Sequence, residues 1–306
     1  MRRAHQIIVG LALTMALAAV SAQAQAEEFQ AQPLARLFTV PSGRVLSSME
    51  VLLTLGGAYG SMNKGEYLGR ASLGLGDFAE LEVSTWRLVS NLFNGTASLG
   101  TTALSVGVLR PEEGSLLPDA SICFRMNPSW KKVEVRGNDL AENLRDDVNE
   151  VNFEMHFASL YLNLSRELIK DVTLHAGVYL TDMRTRSGMA DRADSANTSG
   201  SVAIPDARED MVGGFAGLER KINPRTILMA EIFSVPRFKY TLASNELKID
   251  QVTMFIAGVR FHFARRISTD AGVKYRSDYK GIADSEITVG LNFGFNLEEA
   301  FKSVVK

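Results

Sequence analysis

From Ser48 to Asn296 the chain alternates apolar and polar side chains in runs of about ten residues, the period of a strand with two unlike faces. In 286–296, Ile287, Val289, Leu291, Phe293 and Phe295 share one face, and Thr288, Gly290, Asn292, Gly294 and Asn296 share the other. In 48–59, Met49, Val51, Leu53, Leu55 and Tyr59 oppose Glu50, Thr54 and Gly56. Next, Tyr67, Ala71, Leu73 and Leu75 oppose Arg70, Ser72 and Gly74; Ala79, Leu81 and Val83 oppose Glu80 and Glu82; Ile122 and Phe124 oppose Cys123 and Arg125. Further on, Val172, Leu174 and Val178 oppose His175 and Tyr179, and Leu228 and Ile232 oppose Glu231. Phe255, Phe261 and Phe263 oppose Arg260 and His262, and Val273 and Tyr275 oppose Asp270, Lys274 and Arg276. One run breaks step. In 151–164 the apolar set is first Phe153, Met155 and Phe157, then Leu160, Leu162 and Leu164. A phase flip near Ala158 predicts a β-bulge there.

The pattern gives roughly twelve strands, an even number. Their connections alternate in kind. Gly76-Asp77 and Asn223-Pro224-Arg225 mark tight turns, whereas 127–150, 183–210, 234–250 and 277–285 read as polar loops. Within the first of these loops, Leu140 to Val148 has the composition of a short helix.

Charge sorts onto the polar face. Glu50, Arg70, Glu80, Glu82, Arg125, Glu154, His156, His175, Glu231, Arg260, Asp270, Lys274 and Arg276 all take that parity. A midplane Arg or Lys facing lipid costs about 2–4 kcal/mol, so such sorting is expected of a barrel spanning a membrane. Aromatics sort by rim. With the N-terminus at the inner rim, Tyr59, Tyr67 and Tyr275 fall at the outer rim of the apolar face, and Phe261, Phe263, Phe293 and Phe295 at the inner one. Two aromatic girdles around an apolar band suit a bilayer and have no purpose in a soluble sandwich.

The last run resembles the terminal strand of bacterial outer-membrane β-barrel proteins, which reads polar-x-Gly-x-x-aromatic-x-aromatic. Thr288, Gly290, Phe293 and Phe295 fill those places. The resemblance implies an all-β, transmembrane, antiparallel up-and-down barrel over 44–296, with short periplasmic turns and longer extracellular loops. It also implies export to the outer membrane of a Gram-negative-type bacterium. The expected partners are outer-membrane lipid, lipopolysaccharide and the barrel-assembly machinery, which would read the terminal strand. One departure is that such signals usually end the chain, whereas 297–306 continue here as a tail.

The N-terminus agrees with export. Arg2 and Arg3 precede an apolar run from Ile7 to Val20 and small residues at alternate positions, the form of a signal peptide over 1–26 with cleavage after Ala26. Cleavage after Ala24 is the second Ala-x-Ala frame, and the one after Ala26 is favoured. Residues 27–43, with Pro33 and Pro41, read as a periplasmic lead-in. A single cysteine, Cys123, excludes an internal disulfide, so an exported chain needs a large core or a closed sheet. The formal charge of −2 and the lack of a large basic patch give no reason to expect nucleic acid.

Candidate chemistry is sparse. Glu50, Arg70, Glu82, Arg260, Lys274 and Arg276 are candidates for a polar lumen lining that biases passage of small solutes or ions. The same residues in matched pairs would instead fill the lumen of a structural or adhesive anchor. An outer-membrane hydrolase would need Ser, His and an acid to converge; the histidines sit singly on strands, with no G-x-S-x-G. We therefore expect no enzyme, and no catalytic, cofactor or metal site; Asp191 and Asp194 lack the spacing of a calcium loop.

Overall fold

The computed structural model describes residues 34–304, apart from 61–62, 91, 93–96, 113–114, 142–143, 145 and 193–199. The expected signal peptide and its cleavage point after Ala26 lie outside the described residues. Fourteen strands follow one another: β1 (Glu50–Gly60), β2 (Asn63–Leu75), β3 (Ala79–Ser90), β4 (Ala97–Leu109), β5 (Asp119–Met126), β6 (Lys131–Arg136), β7 (Val148–Ile169), β8 (Val172–Arg192), β9 (Ser201–Ile204), β10 (Ala207–Asn223), β11 (Thr226–Thr241), β12 (Glu246–Ala264), β13 (Ile267–Arg276) and β14 (Glu286–Asn296). A helix, α1 (Leu297–Val304), ends the described chain.

Twelve strands form a closed antiparallel barrel, while β6 and β9 pair only with the outer extensions of β7 and β8. The seam joins β1 to β14, with Leu53 opposite Phe293, Gly56 opposite Gly290 and Gly60 opposite Glu286. Closure pairs the wall's backbone groups within the sheet and leaves no edge, the condition for crossing a bilayer with strands.

Burial is inverted relative to a soluble protein. Leu55, Val83, Val108, Leu180, Val212 and Ile287 are exposed on the outer surface, while Glu82, Arg260, Lys274 and Glu286 are buried inside. With the rim of short turns taken as periplasmic, Tyr59 and Tyr67 lie at the outer ends of β1 and β2, and Phe293 and Phe295 at the inner end of β14.

The sequence reading needs three corrections. First, no bulge lies at Ala158; β7 pairs without interruption from Glu154 to Glu167. Odd positions face inward along this stretch, from Phe153, Met155 and Phe157 to Ser159, Asn163 and Ser165. What changes near Ala158 is the surroundings. Below it the outward face meets lipid; above it the strand leaves the membrane, its outward face meets water and its inward face joins an apolar core. Glu154 and His156, expected inside, therefore point outward: Glu154 pairs with Arg186 at 2.8 Å, and the His156 ring lies 5.6 Å from that of Trp130. The irregularity in this region sits on β8, where Ser187 adopts φ 53°.

Second, 234–250 is a hairpin rather than a loop, with β11 and β12 paired continuously from Ser234 opposite Thr253 to Thr241 opposite Glu246. Its buried residues include Phe238, Tyr240 and Leu247, which continue the apolar parity that faces lipid at Ile232 and Phe255, so the same face is covered here instead of exposed. The 127–150 stretch likewise contains β6, and 183–210 contains the end of β8, β9 and the start of β10. Of the short helix expected over Leu140 to Val148, residues 142–143 and 145 lie outside the described residues; Leu144 is in a 3-10 turn, Val148 begins β7, and Leu140, Leu144 and Val148 are buried.

Third, the described part of the expected lead-in, 34–43, is not below the barrel but inside it. Leu37, Phe38 and Val40 pack with Tyr179, Phe215 and Met254, and Leu34 packs against Leu46 and Leu52; burying these side chains outweighs leaving the segment in water.

Candidate functional site

The inserted segment is a small hairpin. Leu37 N–H donates to Val40 O at 3.1 Å and Ser42 N–H to Ala35 O at 2.9 Å, with Arg36 bridged to Pro41. Side chains from all around the wall hold it. Arg260 on β12 donates to Arg36 O at 3.1 Å and Leu37 O at 2.9 Å. Glu231 on β11 accepts from Thr39 N–H and Val40 N–H, each at 3.1 Å. Ser121 on β5 donates to Ser42 O at 3.3 Å, and Gly43 N–H donates to Ser165 Oγ on β7 at 2.6 Å.

The hairpin also brings a charge. Arg36 pairs with Glu82 and lies 3.6 Å from Glu80, both on β3. Arg125 Nη2 lies 2.9 Å from Glu82, Arg70 Nε lies 3.6 Å from it, and Ser84 donates to it at 2.6 Å. Three guanidinium groups thus share two carboxylates in the barrel interior.

The structure buries all six residues expected to line the lumen. Arg70 and Glu82 belong to the cluster just described. Arg260 grips Asp270 through Nε at 2.7 Å and Nη2 at 3.0 Å. Lys274 pairs with Glu286 across β13 and β14, Arg276 pairs with Asp278 at 2.6 Å, and Glu50 accepts from Ser47 N–H at 3.2 Å near the inner rim. Neighbouring strands therefore match most of these charges in pairs.

Above the hairpin is a cavity of about 100 Å³ whose walls include Thr39, Val40, Arg70, Arg125, Tyr161, Tyr179, Phe233 and Met254. Two of its aromatics rest on glycines of the opposite strand. Tyr179 covers Gly213, where a Cβ would come within 2.0 Å of the ring, and Phe215 covers Gly177, where it would come within 2.1 Å. The rings lie along the wall instead of across the lumen because no side chain stands beneath them.

Over the cavity the outer extensions make a roof. Val89 and Ser90 of β3 pair in parallel with Arg237 and Phe238 of β11, although these strands are not neighbours in the barrel wall. Val133, Val135, Phe153, Met155, Phe157 and Phe238 pack in the apolar core there, with the Phe153 and Phe238 rings 5.4 Å apart.

The separate strand histidines conceal one convergence. Ser165 Oγ lies 2.7 Å from His175 Nδ1, and His175 Nε2 lies 3.5 Å from Glu219. Sequence reasoning missed Arg36, Ser165 and Glu219 as site residues. The apolar run from Leu34 to Val40 was the available signal for the first; the other two are brought together only by the register of β7, β8 and β10.

A closed twelve-strand barrel with an apolar belt and a polar interior defines the class of the fold, that of the bacterial outer-membrane β-barrels. No protein-family description and no curated protein matches the sequence. Among solved structures, the chain is similar to the translocator domain of the autotransporter NalP from Neisseria meningitidis, with a TM-score of 0.51, 10% identity, and coverage of 82% of this chain and 89% of that one. The NanC porin gives a TM-score of 0.44 at 12% identity, covering 80% and 98%. The toluene transporter TodX of Pseudomonas putida gives 0.42 at 11% identity, covering 87% and 94%. At these identities the likeness is one of fold.

Proposed function

We propose that the protein is an outer-membrane channel for small solutes, closed in this state by its N-terminal hairpin. The observation that carries this reading is the way the hairpin is held. It is paired with itself and bound to the wall by side chains and charge, but it is not a strand of the sheet. Removing it would leave the ladder of the barrel unbroken. The signal peptide read from 1–26 supports export, and the terminal strand, with Thr288, Gly290, Phe293 and Phe295, supports recognition by the barrel-assembly machinery. The exposed apolar belt supports contact with outer-membrane lipid and lipopolysaccharide.

Planar-bilayer recording tests the reading with the mature chain and a variant lacking 34–43. The full chain should show rare or small openings, and the deletion a larger and more frequent conductance. Silence from both, with both folded by heat-modifiable gel mobility, would overturn it in favour of a structural anchor. That second reading is favoured by one observation, the pairing of Arg260 with Asp270 and of Lys274 with Glu286. Ser165 is buried under Gly43, whose N–H it accepts, so the Ser165–His175–Glu219 cluster acts in this proposal as a clasp for the hairpin and not as a nucleophile.

A further inference from the structure

We infer that the cavity above the hairpin is a binding site for a small monocarboxylate with an apolar, ring-sized body. The inference names the solute class for the proposed channel and rests on that reading, although binding can be measured without transport.

Charge gives the first reason. Arg70 and Arg125 line the cavity, and among the described residues no carboxylate does. The acids that pair with this arginine cluster are Glu80 and Glu82, and they already serve Arg36 as well, while Glu231 below is bonded to the hairpin backbone at Thr39 and Val40. Within that cluster three guanidinium groups share two carboxylates, one positive charge in excess and buried. An uncompensated buried charge is costly and draws a counter-ion.

Hydrogen bonding points to the same place. Arg70 is 7% exposed, and its Nε and Nη1 have no hydrogen-bond partner among the described residues. Arg125 lies 2.9 Å from Glu82 through Nη2 and donates from Nη1 to Ser84 Oγ at 3.1 Å. Guanidinium groups present paired donors that match the two oxygens of a carboxylate.

The other walls set the body of the ligand. Tyr161, Tyr179, Phe233 and Met254 line the same cavity, so it combines two guanidinium groups with a mainly apolar and aromatic lining. A bare inorganic anion would leave this surface without contact. The cavity of about 100 Å³ exceeds several-fold the roughly 10–15 Å³ that one water requires, which leaves room for a single ring. Small-ligand sites commonly combine an apolar lining with a few placed polar groups.

The test uses the folded full-length mature barrel in detergent micelles and isothermal titration with benzoate, benzamide and sulfate. Benzoate should bind at least tenfold more tightly than benzamide, which has its shape without its charge, and than sulfate, which has charge without a ring. In Arg70→Gln, benzoate binding should weaken about tenfold while benzamide is unchanged. Equal binding of benzoate and benzamide, or tighter binding of sulfate, would overturn the inference, as would unchanged benzoate binding in a folded Arg70→Gln. The three-ligand comparison needs only the unsubstituted protein, so a variant that fails to fold leaves the test intact. Benzoate binding without benzoate flux into proteoliposomes would overturn the channel reading and leave the site standing.

Discussion

Arg260 donates from Nη2 to the carbonyl oxygen of Leu37 at 2.9 Å, tying the wall of the barrel to the segment that fills it. The same guanidinium holds Asp270, so one side chain both matches a wall charge and anchors the hairpin. Arg260→Gln removes both roles. Leaving Asp270 without its cation should cost about 3–5 kcal/mol, the range for breaking a buried pair. Urea titration followed by gel mobility should show a lower midpoint, and bilayer recording should show more frequent openings. A lowered midpoint with unchanged openings would mean that Arg260 serves the wall alone.

Tyr179 lies over Gly213, and the shape of the cavity depends on that contact. In Gly213→Val the new side chain and the ring compete for the same space. The ring must swing into the cavity or the strands must part. Overpacking of this kind costs about 1–3 kcal/mol. We expect a modest fall in the urea midpoint together with loss of benzoate binding. Gly213→Val that binds benzoate normally would show that the ring does not form the wall.

Much of the fold was legible because a membrane barrel writes its two faces into alternate residues. Leu53, Leu55 and Ile287 face lipid, and Thr54, Arg70 and Asp270 face inward, as the period requires. Legibility ended where the solvent on the outward face changed. In β7, Phe157 and Leu160 are both apolar yet belong to opposite faces, because one packs under the roof and the other against lipid. A reading that assumes one solvent mistakes that boundary for a bulge. The site was less legible for a different reason. Arg70 and Glu82 were found by parity, but Arg36 reaches them across nearly fifty residues from a segment with no strand period.

The periplasmic end carries a pH-dependent contact. Arg266, in the turn between β12 and β13, bonds Glu299 of α1 at 2.8 and 3.1 Å. This hydrogen bonding and the adjacent positive charge hold the Glu299 carboxyl below its ordinary value of 4.5. A depressed carboxylate stabilises the docked helix at pH above the undocked value, and that contribution fades as pH falls through the docked one. Between neutral pH and pH 3, amide exchange in α1 should therefore rise more than intrinsic chemistry explains. Glu299→Gln should remove most of the difference. Because the pair is exposed, the effect should be small and should shrink further in high salt.

The helix and the terminal strand make separable contributions to assembly. Phe293 lies opposite Leu53 at the seam and Phe295 opposite Val51, so both aromatics sit where the barrel closes. The helix begins only after Asn296, whose Oδ1 accepts from Glu298 N–H at 2.9 Å and caps it. Its first residue, Leu297, donates to Met49 O at 2.9 Å just beyond the β1–β14 pairs, and Phe301 remains exposed. Changing Phe293 and Phe295 to Ala removes two lipid-facing rings from the inner girdle, and we expect the heat-modifiable gel shift to be lost or strongly reduced. A chain ending at Asn296 should keep the shift, since it retains every pair between β1 and β14. The opposite pattern, assembly lost with the helix and kept without the aromatics, would place the assembly signal in the tail.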